Sequence, residues 1–450
     1  MRRKLRGRLV CRLTPDTAHA HVSALRDVLL GAAAPAHSLD RGGPVDRVLK
    51  QHSTSFLAAR AFAARESIGL AGAGHLGFDA LERETGLSRT FRVAVDPSAS
   101  IDHLCAALND LDGVEMASPH YLCEAIDAEI VPAHYDTDES YALIGARAAL
   151  EREPGDETVV VALIDSGVAD DHPELTGRMR PGFSTVDLDA EQIEDGVRLL
   201  SRGRKRGPNI YDDEGHGTHC AGLLRARGIK VPPGLGGDSR LLPMRALCGA
   251  MVPDRERPTA IGSLVDIDEA FKLAVDLGAR VLNLSFGTRE TEIGKDDPVP
   301  HAEVVSYALG RGCVLVAASG NDGDTVRFFP AALPGVIAVG ACDGRGRPTH
   351  FSSRGDHVAV TAPGEALSCV DIAGYKKASG TSFAAPLVSG AAALMLAHAA
   401  RYSVPLQPTE VRRLLVESAR KFPDGVDGHG HGAGVLDARA SLDAVAAHCR

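Results

Sequence analysis

TVVVALIDSG (158–167) is a run of β-branched and aliphatic residues that ends on an acid and a glycine. No polar residue alternates within it, so the strand it predicts is covered on both faces, as the central strands of parallel sheets are. Five further runs repeat the theme: RLLPMRAL (240–247), ARVLNLS (279–285), CVLVAAS (313–319), GVIAVGA (335–341) and HVAVTAP (357–363). Stretches of helical character fall between or after them, at 217–227, 261–277, 300–311, 382–400 and 408–420. Strands alternating with helices predict an α/β fold, a doubly wound and mostly parallel sheet, over residues 135–450. In such sheets reactive groups gather where the strands end at their carboxyl edge.

Upstream, FRVAV (91–95), SIDHLCAALNDL (100–111) and GVEMASPHYLCEA (113–125) read as strand, helix and strand, a small α/β unit over 89–130. The polar link containing Pro132, Asp136, Asp138 and Glu139 makes 126–138 the boundary. Residues 1–88 are rich in Ala, Arg and Gly, with weak periodicity, and suggest no role. The basic opening MRRKLRGRLVCRL is not followed by the apolar core of a secretion signal. Nine dispersed cysteines without a CxxC read as reduced thiols. A cytoplasmic protein is expected on these grounds, or a secreted one if the true start lies upstream. A net charge of −10 argues against a nucleic-acid partner. The apolar stretch 390–400 is well short of the roughly 20 residues that cross a bilayer, so no membrane partner is expected.

Four residues stand out for their chemistry. Asp165 ends a buried strand, and Gly167 permits a sharp exit; a turn aspartate would look the same. His216 lies in DDEGHGTHCAG (212–222), at the start of a helix and flanked by glycines that allow close approach to another surface. His219 follows three residues later, but HxxH without a third ligand is not read as a metal site. Ser382, in SGTSFAAPLVSGAAAL (379–394), begins a helix whose free N–H groups suit a nucleophile that generates an oxyanion; an N-cap serine is the plain alternative. Asn321 follows the strand VLVAASG (314–320), where its amide can donate to an oxyanion or merely shape an Asn-Asp-Gly turn.

Taken together, these segments resemble the subtilase family of serine proteases. VVVALIDSGV (159–168) is similar to the family's aspartate motif, DEGHGTHCAG (213–222) to its histidine motif and SGTSFAAPLVSG (379–390) to its serine motif. The order Asp, His, Ser is that of subtilisin. FFPAALPGVIAVGA (328–341) and FSSRGDHVAVTAPG (351–364) resemble two further family segments. The resemblance spans roughly residues 135–450. It implies a triad of Asp165, His216 and Ser382, an oxyanion hole containing Asn321, and a protein or peptide substrate. It also implies that Ser285, Phe286 and Gly287 pair with the extended substrate by strand addition, and that Ala317, Ala318, Ser319 and Gly320 line an open S1 pocket. Asp322 beside that pocket would favour a basic P1 residue unless it is a solvated turn carboxylate. Cys220 resembles the cysteine of the proteinase K branch, and is either thiol-reagent sensitive or buried and inert.

TFRVAV (90–95) and LDGVEMASPHY (111–121) resemble the inhibitory propeptides of subtilases. This implies an intramolecular inhibitor whose tail enters the cleft and is cut within 124–140. In place of the family's Asn-rich calcium loop the chain has GIKVPPGLGGDS (228–239), so no cofactor is required. Glu174, in HPEL (172–175), stands where the family often has an aspartate ligand, which leaves a weak structural calcium site open. Residues 184–211, carrying the basic run 202–206, are read as a solvated surface insertion. A self-processing endopeptidase is the leading expectation. A peptide-maturing transacylase or macrocyclase on the same fold, and a catalytically silent binding protein, are the alternatives.

Overall fold

The computed structural model describes residues 3–450 apart from 18, 127–136, 194–195, 201–205 and 254. Four N-terminal strands, β1 (Lys4–Leu13), β2 (Phe56–Arg60), β3 (Thr90–Val95) and β4 (Val114–Ala125), form an antiparallel sheet in the order β2-β3-β1-β4. Helices α1 (Pro44–His52) and α2 (Ile101–Asn109) cover one face. In α2 the buried residues are Ile101, Leu104, Cys105 and Leu108, a spacing that places them on a single helical stripe. A division at 88/89 does not follow this sheet. β1 lies between β3 and β4, with Leu9 opposite both Val93 and Pro119, so residues before 88 belong to the same unit as those after. Local patterning could not reveal this, because β1 finds its partners about eighty and a hundred residues away.

Among the described residues, the aliphatic runs form a second, wholly parallel sheet of seven strands. These are β5 (Val160–Asp165), the short β6 (Phe183–Ser184) and β7 (Arg240–Arg245), then β10 (Val281–Leu284), β12 (Val314–Ala318), β13 (Ile337–Cys342) and β14 (Val358–Pro363). Their order across the sheet is β14-β13-β12-β10-β5-β7-β6, which leaves β5 inside it. Between β7 and β10 come β8 (Cys248–Met251) and β9 (Thr259–Ser263), and β11 (Phe286–Arg289) follows β10 directly. Helices α3 (His216–Arg225) and α6 (Thr381–Ala400) pack on one side, α4 (Leu264–Asp276) and α5 (Ala302–Gly310) on the other. α6 has the length and hydropathy of a membrane span, yet 94% of its most apolar 18-residue window is buried in this core. Its Ala- and Gly-rich surface lets the strands of the sheet approach closely on one side and neighbouring helices on the others.

Two expectations need correcting. The helix expected at 261–277 is strand β9 followed by α4, because Ser263 caps the helix by accepting the Asp266 N–H at 3.1 Å. The segment 184–211 is not merely a solvated loop. Val186, Leu188, Ile193 and Val197 are buried in a small cluster with Leu5, Leu122, Cys248 and Ala250. Of its basic run, 202–205 lie outside the described residues.

The uncovered face of the N-terminal sheet rests on α4 and α5, and charges cross the contact. Lys272 of α4 lies 2.6 Å from Glu82 and 2.6 Å from Asp276, all three side chains nearly inaccessible. Arg92 of β3 reaches the buried Asp266 at 2.6 Å, Arg12 reaches Glu303 at 2.5 Å, and Arg311 pairs with Asp79.

Glu174 organises the loop after α3. Its buried carboxylate accepts the backbone N–H groups of Gly228 at 2.9 Å, Ile229 at 3.0 Å, Lys230 at 2.7 Å and Val231 at 3.4 Å. Burial alone would raise its pKa, but these donors outweigh burial and hold the carboxyl below its ordinary range. Converging N–H dipoles repel a cation, so this position does not fit a calcium ligand. Hydrogen bonds to a charged group stabilise by about 2–3 kcal/mol, so Glu174→Gln should lower the Tm by roughly 5 °C at pH 7. Because the folded carboxyl titrates below the unfolded value of about 4.3, this stabilisation is complete above that pH and disappears as pH falls through the folded value. Calorimetric melting curves of the two proteins should therefore converge in acid, and excess calcium chelator should shift neither through this loop.

Candidate active site

Asp165 and His216 meet because β5 and α3 come unusually close. A Cβ on Gly217 would lie 2.2 Å from the Gly167 carbonyl oxygen and 3.1 Å from Asp165 Cβ, a separation only glycine allows. The Asp165 Oδ1 atom is 2.7 Å from His216 Nδ1 and also accepts the Ser166 N–H at 2.7 Å. Asp212 fastens the start of the helix. One of its oxygens accepts the Thr218 N–H at 2.9 Å and hydroxyl at 2.6 Å, the other the Gly215 N–H at 2.9 Å and the Ser166 hydroxyl at 2.9 Å. Both Asp165 and His216 are 1% exposed, so little water competes for their bond.

Ser382 is the second residue of α6. Its backbone carbonyl accepts the Ser285 hydroxyl at 2.9 Å and the Cys220 thiol at 3.4 Å, which ties the helix start to β10–β11 and to α3. Cys220 is thus wholly buried beneath the site. The next side chain, Phe383, lies against the His216 ring at 5.5 Å and the His219 ring at 5.8 Å. His219 bonds Asp371 at 3.0 Å, so the two histidines serve different carboxylates. Asp165, His216 and Cys220 do bring potential ligand atoms within 4.8 Å, but the first two are engaged with each other.

Asn321 follows β12 through Gly320, whose φ of +117° and contact with Phe328, 2.4 Å from a built Cβ, exclude a side chain. The Asn321 Oδ1 atom accepts both the Thr381 N–H and hydroxyl at 3.0 Å, which turns its NH2 outward. That NH2 donates to the carbonyl oxygen of Ile126 at 3.2 Å. The Ser382 hydroxyl donates to the same oxygen, and lies 3.1 Å from the Ser285 carbonyl. Neither Thr381 nor Ile126 was singled out from the sequence; the threonine inside SGTS was the available signal.

Ile126 arrives there because the end of β4 is inserted between β9 and β11. Glu124 is opposite Ile261 on one side and Gly287 on the other, Ala125 is opposite Phe286, and the Ile126 N–H bonds the Ser285 carbonyl at 3.2 Å. Ser285, Phe286 and Gly287 therefore do pair with an extended segment, one from this chain. β9, the second rail, escaped sequence reading because TAIGS is short and runs straight into a helix. The Ile126 side chain is 5% exposed, over Gly287 and beside Phe328: a Cβ built on Gly287 would lie 3.0 Å from Ile126 and 3.2 Å from Phe328.

Of the residues expected to line an open S1 pocket, Ala317 and Ala318 are fully buried on opposite faces of the sheet. Ala317 packs toward α4 and α5, Ala318 in the cluster shared with Ile126 and Phe328. Ser319 donates to the Ser353 carbonyl at 3.0 Å, and Gly320 abuts Phe328. Asp322 is neutralised by Arg289, whose guanidinium stands 5.8 Å from the Phe328 ring centre, so it does not present a bare charge to a basic P1 residue.

The sequence profile of the Subtilase family matches residues 156–434. The thermophilic serine proteinase of Bacillus sp. (strain AK1) is 33% identical over 330 residues, 72% of this chain and 72% of that protein. Thermitase of Thermoactinomyces vulgaris is 31% identical over 236 residues, 52% of this chain and 74% of that one. Among solved structures, the prenylagaramide maturation protease PagA superposes with a TM-score of 0.54 at 26% identity, over 67% of this chain and 98% of PagA. The epidermin leader peptide processing serine protease of Staphylococcus aureus shares the fold, with a TM-score of 0.62 at 19% identity over 79% of this chain and 91% of that one. With the profile covering more than half of its length, the chain belongs to the Subtilase family and is a serine endopeptidase.

Proposed function

We propose that the protein processes itself, with Ser382 as nucleophile, His216 as general base, Asp165 as its partner and Asn321 as oxyanion donor, and that its first substrate is its own Ile126–Asp127 bond. One observation carries this reading: the Ile126 carbonyl oxygen is held by the Asn321 NH2 and the Ser382 hydroxyl while the Ile126 N–H bonds Ser285. A peptide held in this way presents its carbonyl carbon to the serine oxygen.

In the proposed reaction the Ser382 hydroxyl turns its proton from the Ile126 oxygen toward His216 Nε2, which takes it as Oγ attacks that carbon. Asp165, 2.7 Å from Nδ1, keeps the imidazole in register and stabilises the imidazolium. Negative charge develops on the Ile126 oxygen, where the amide of Asn321 meets it. Thr381 fixes that amide beforehand, so no reorganisation is needed when the charge appears. The imidazolium returns the proton to the departing Asp127 nitrogen, and water then releases Ile126 as a carboxylate from the acyl-enzyme. The strand stays seated between β9 and β11 as a product-like inhibitor, its unit docked on α4 and α5.

A second reading is compatible with the likeness to PagA, a maturation protease: the protein acts in peptide maturation, with the acyl-enzyme resolved by an amine and not by water alone. Product analysis by mass spectrometry with an added amine nucleophile separates the two, since an amide product appears only in the second.

N-terminal sequencing of purified wild type should give a new terminus at Asp127, while Ser382→Ala should remain one 450-residue chain. An uncut wild type that hydrolyses added peptide, or a cut variant, would overturn self-processing. Asn321→Ala should lower kcat on a peptide substrate by about 10²–10³-fold with little change in KM, the loss typical of one oxyanion donor. A tenfold effect or less would remove Asn321 from that role.

A further inference from the structure

We infer that Arg255 selects an acidic side chain at the third residue before the cut, so that the preferred substrate is an extended peptide with an acid, a small residue and an aliphatic residue leading to the scissile bond. This rests on reading Ile126–Asp127 as that bond. With Ile126 at the first position, Ala125 is at the second and Glu124 at the third.

Glu124 is the one charged residue in the inserted segment 122–126, and its backbone is fixed on both sides, opposite Ile261 and Gly287. Its carboxylate is divided between two arginines. Arg255 Nη2 lies 2.9 Å from Oε2, and Arg3 bonds Oε1. The two have different origins. Arg3 precedes β1 and belongs to the N-terminal unit, whereas Arg255 lies between β8 and β9, in the protease part. A substrate arriving from solution brings its own acid but no Arg3, so Arg255 is the partner that remains. The rails themselves bind any backbone; a side-chain preference must come from groups at their edges. The first and second positions are decided by packing, since Ile126 and Ala125 are 5% and 2% exposed. At the third position the Arg255 and Glu124 side chains are 39% and 26% exposed, so the preference is moderate and screened by salt.

Peptides with the sequence of residues 122–130, carrying Glu, Gln or Lys at the position of Glu124, are given to the purified full-length protein and the products identified by mass spectrometry. Wild type should cleave the Glu peptide about five- to tenfold more efficiently, in kcat/KM, than the Lys peptide, with Gln between, and the gap should narrow in high salt. Arg255→Glu should invert the order. No preference in wild type, or the same preference in Arg255→Glu, overturns the assignment. Self-cleavage supplies a readout that needs no vacant cleft. Arg255→Glu should slow the cut about fivefold and Arg255→Lys much less; an unchanged rate in Arg255→Glu also overturns it. Cleavage after the isoleucine without charge dependence defeats Arg255 alone, whereas cleavage at another bond defeats the choice of Ile126 as the first position.

Discussion

One strand, β4, carries the hydrogen bonds of both halves of the molecule. Its first part pairs with β1 in the N-terminal sheet, and its last residues pair with β9 and β11 at the edge of the cleft. Backbone pairing is indifferent to side chains, but register is not. A slip of one residue would turn every side chain to the opposite face and carry the Ile126 carbonyl about 3.3 Å from Ser382. The register is therefore set elsewhere: by the pairing of β1 with β4 and by the seating of the N-terminal sheet on α4 and α5. In this sense residues such as Leu9 and Arg92, far from Ser382, determine which peptide bond reaches it.

The same reasoning separates what the sequence makes legible from what it hides. Asp165, His216, Ser382 and Asn321 can be read because each sits at a punctuated position, where a buried strand ends or a helix begins beside glycine. Those requirements are local, so the sequence records them locally. β1 is hidden because RGRLVCRL (6–13) has no strand pattern of its own to read until Val93 of β3 and Pro119 of β4 are brought to it. β9 is hidden because five residues preceding a helix carry too little periodicity. The buried side chains at 186, 188, 193 and 197 are hidden for another reason: their cover is Leu5 and Leu122, supplied by a different part of the chain. The seating of Ile126 at Ser382 depends on all of these together, which is why motif reading narrows the proposed cut only to a stretch.

Glu174 illustrates how a family position can keep its place and change its chemistry. An acid at that point next to a loop reads as a cation ligand. Here residues 228–231 carry no side-chain oxygen, and they turn their N–H groups inward so that the carboxylate itself completes the loop. An anion enclosed by dipoles and a cation enclosed by carboxylates solve the same problem, closing a loop without burying unpaired backbone groups.

The contact between the N-terminal unit and the protease mixes an apolar patch, where Val10, Phe62 and Leu87 meet residues of α4 and α5, with buried ion pairs such as Arg92–Asp266 and Glu82–Lys272. Buried pairs of this kind add little net stability, because desolvation consumes most of the attraction, but removing one partner is costly. Such a contact is better suited to fixing orientation than to holding tightly. While the chain is continuous it need not hold tightly, since covalent linkage keeps the strand at high effective concentration near the cleft. On the proposed self-processing, the same pairs must act without that advantage after the cut. An interface that positions accurately while linked and retains less grip when severed is what a segment needs if it is first substrate and then a displaceable occupant of one cleft.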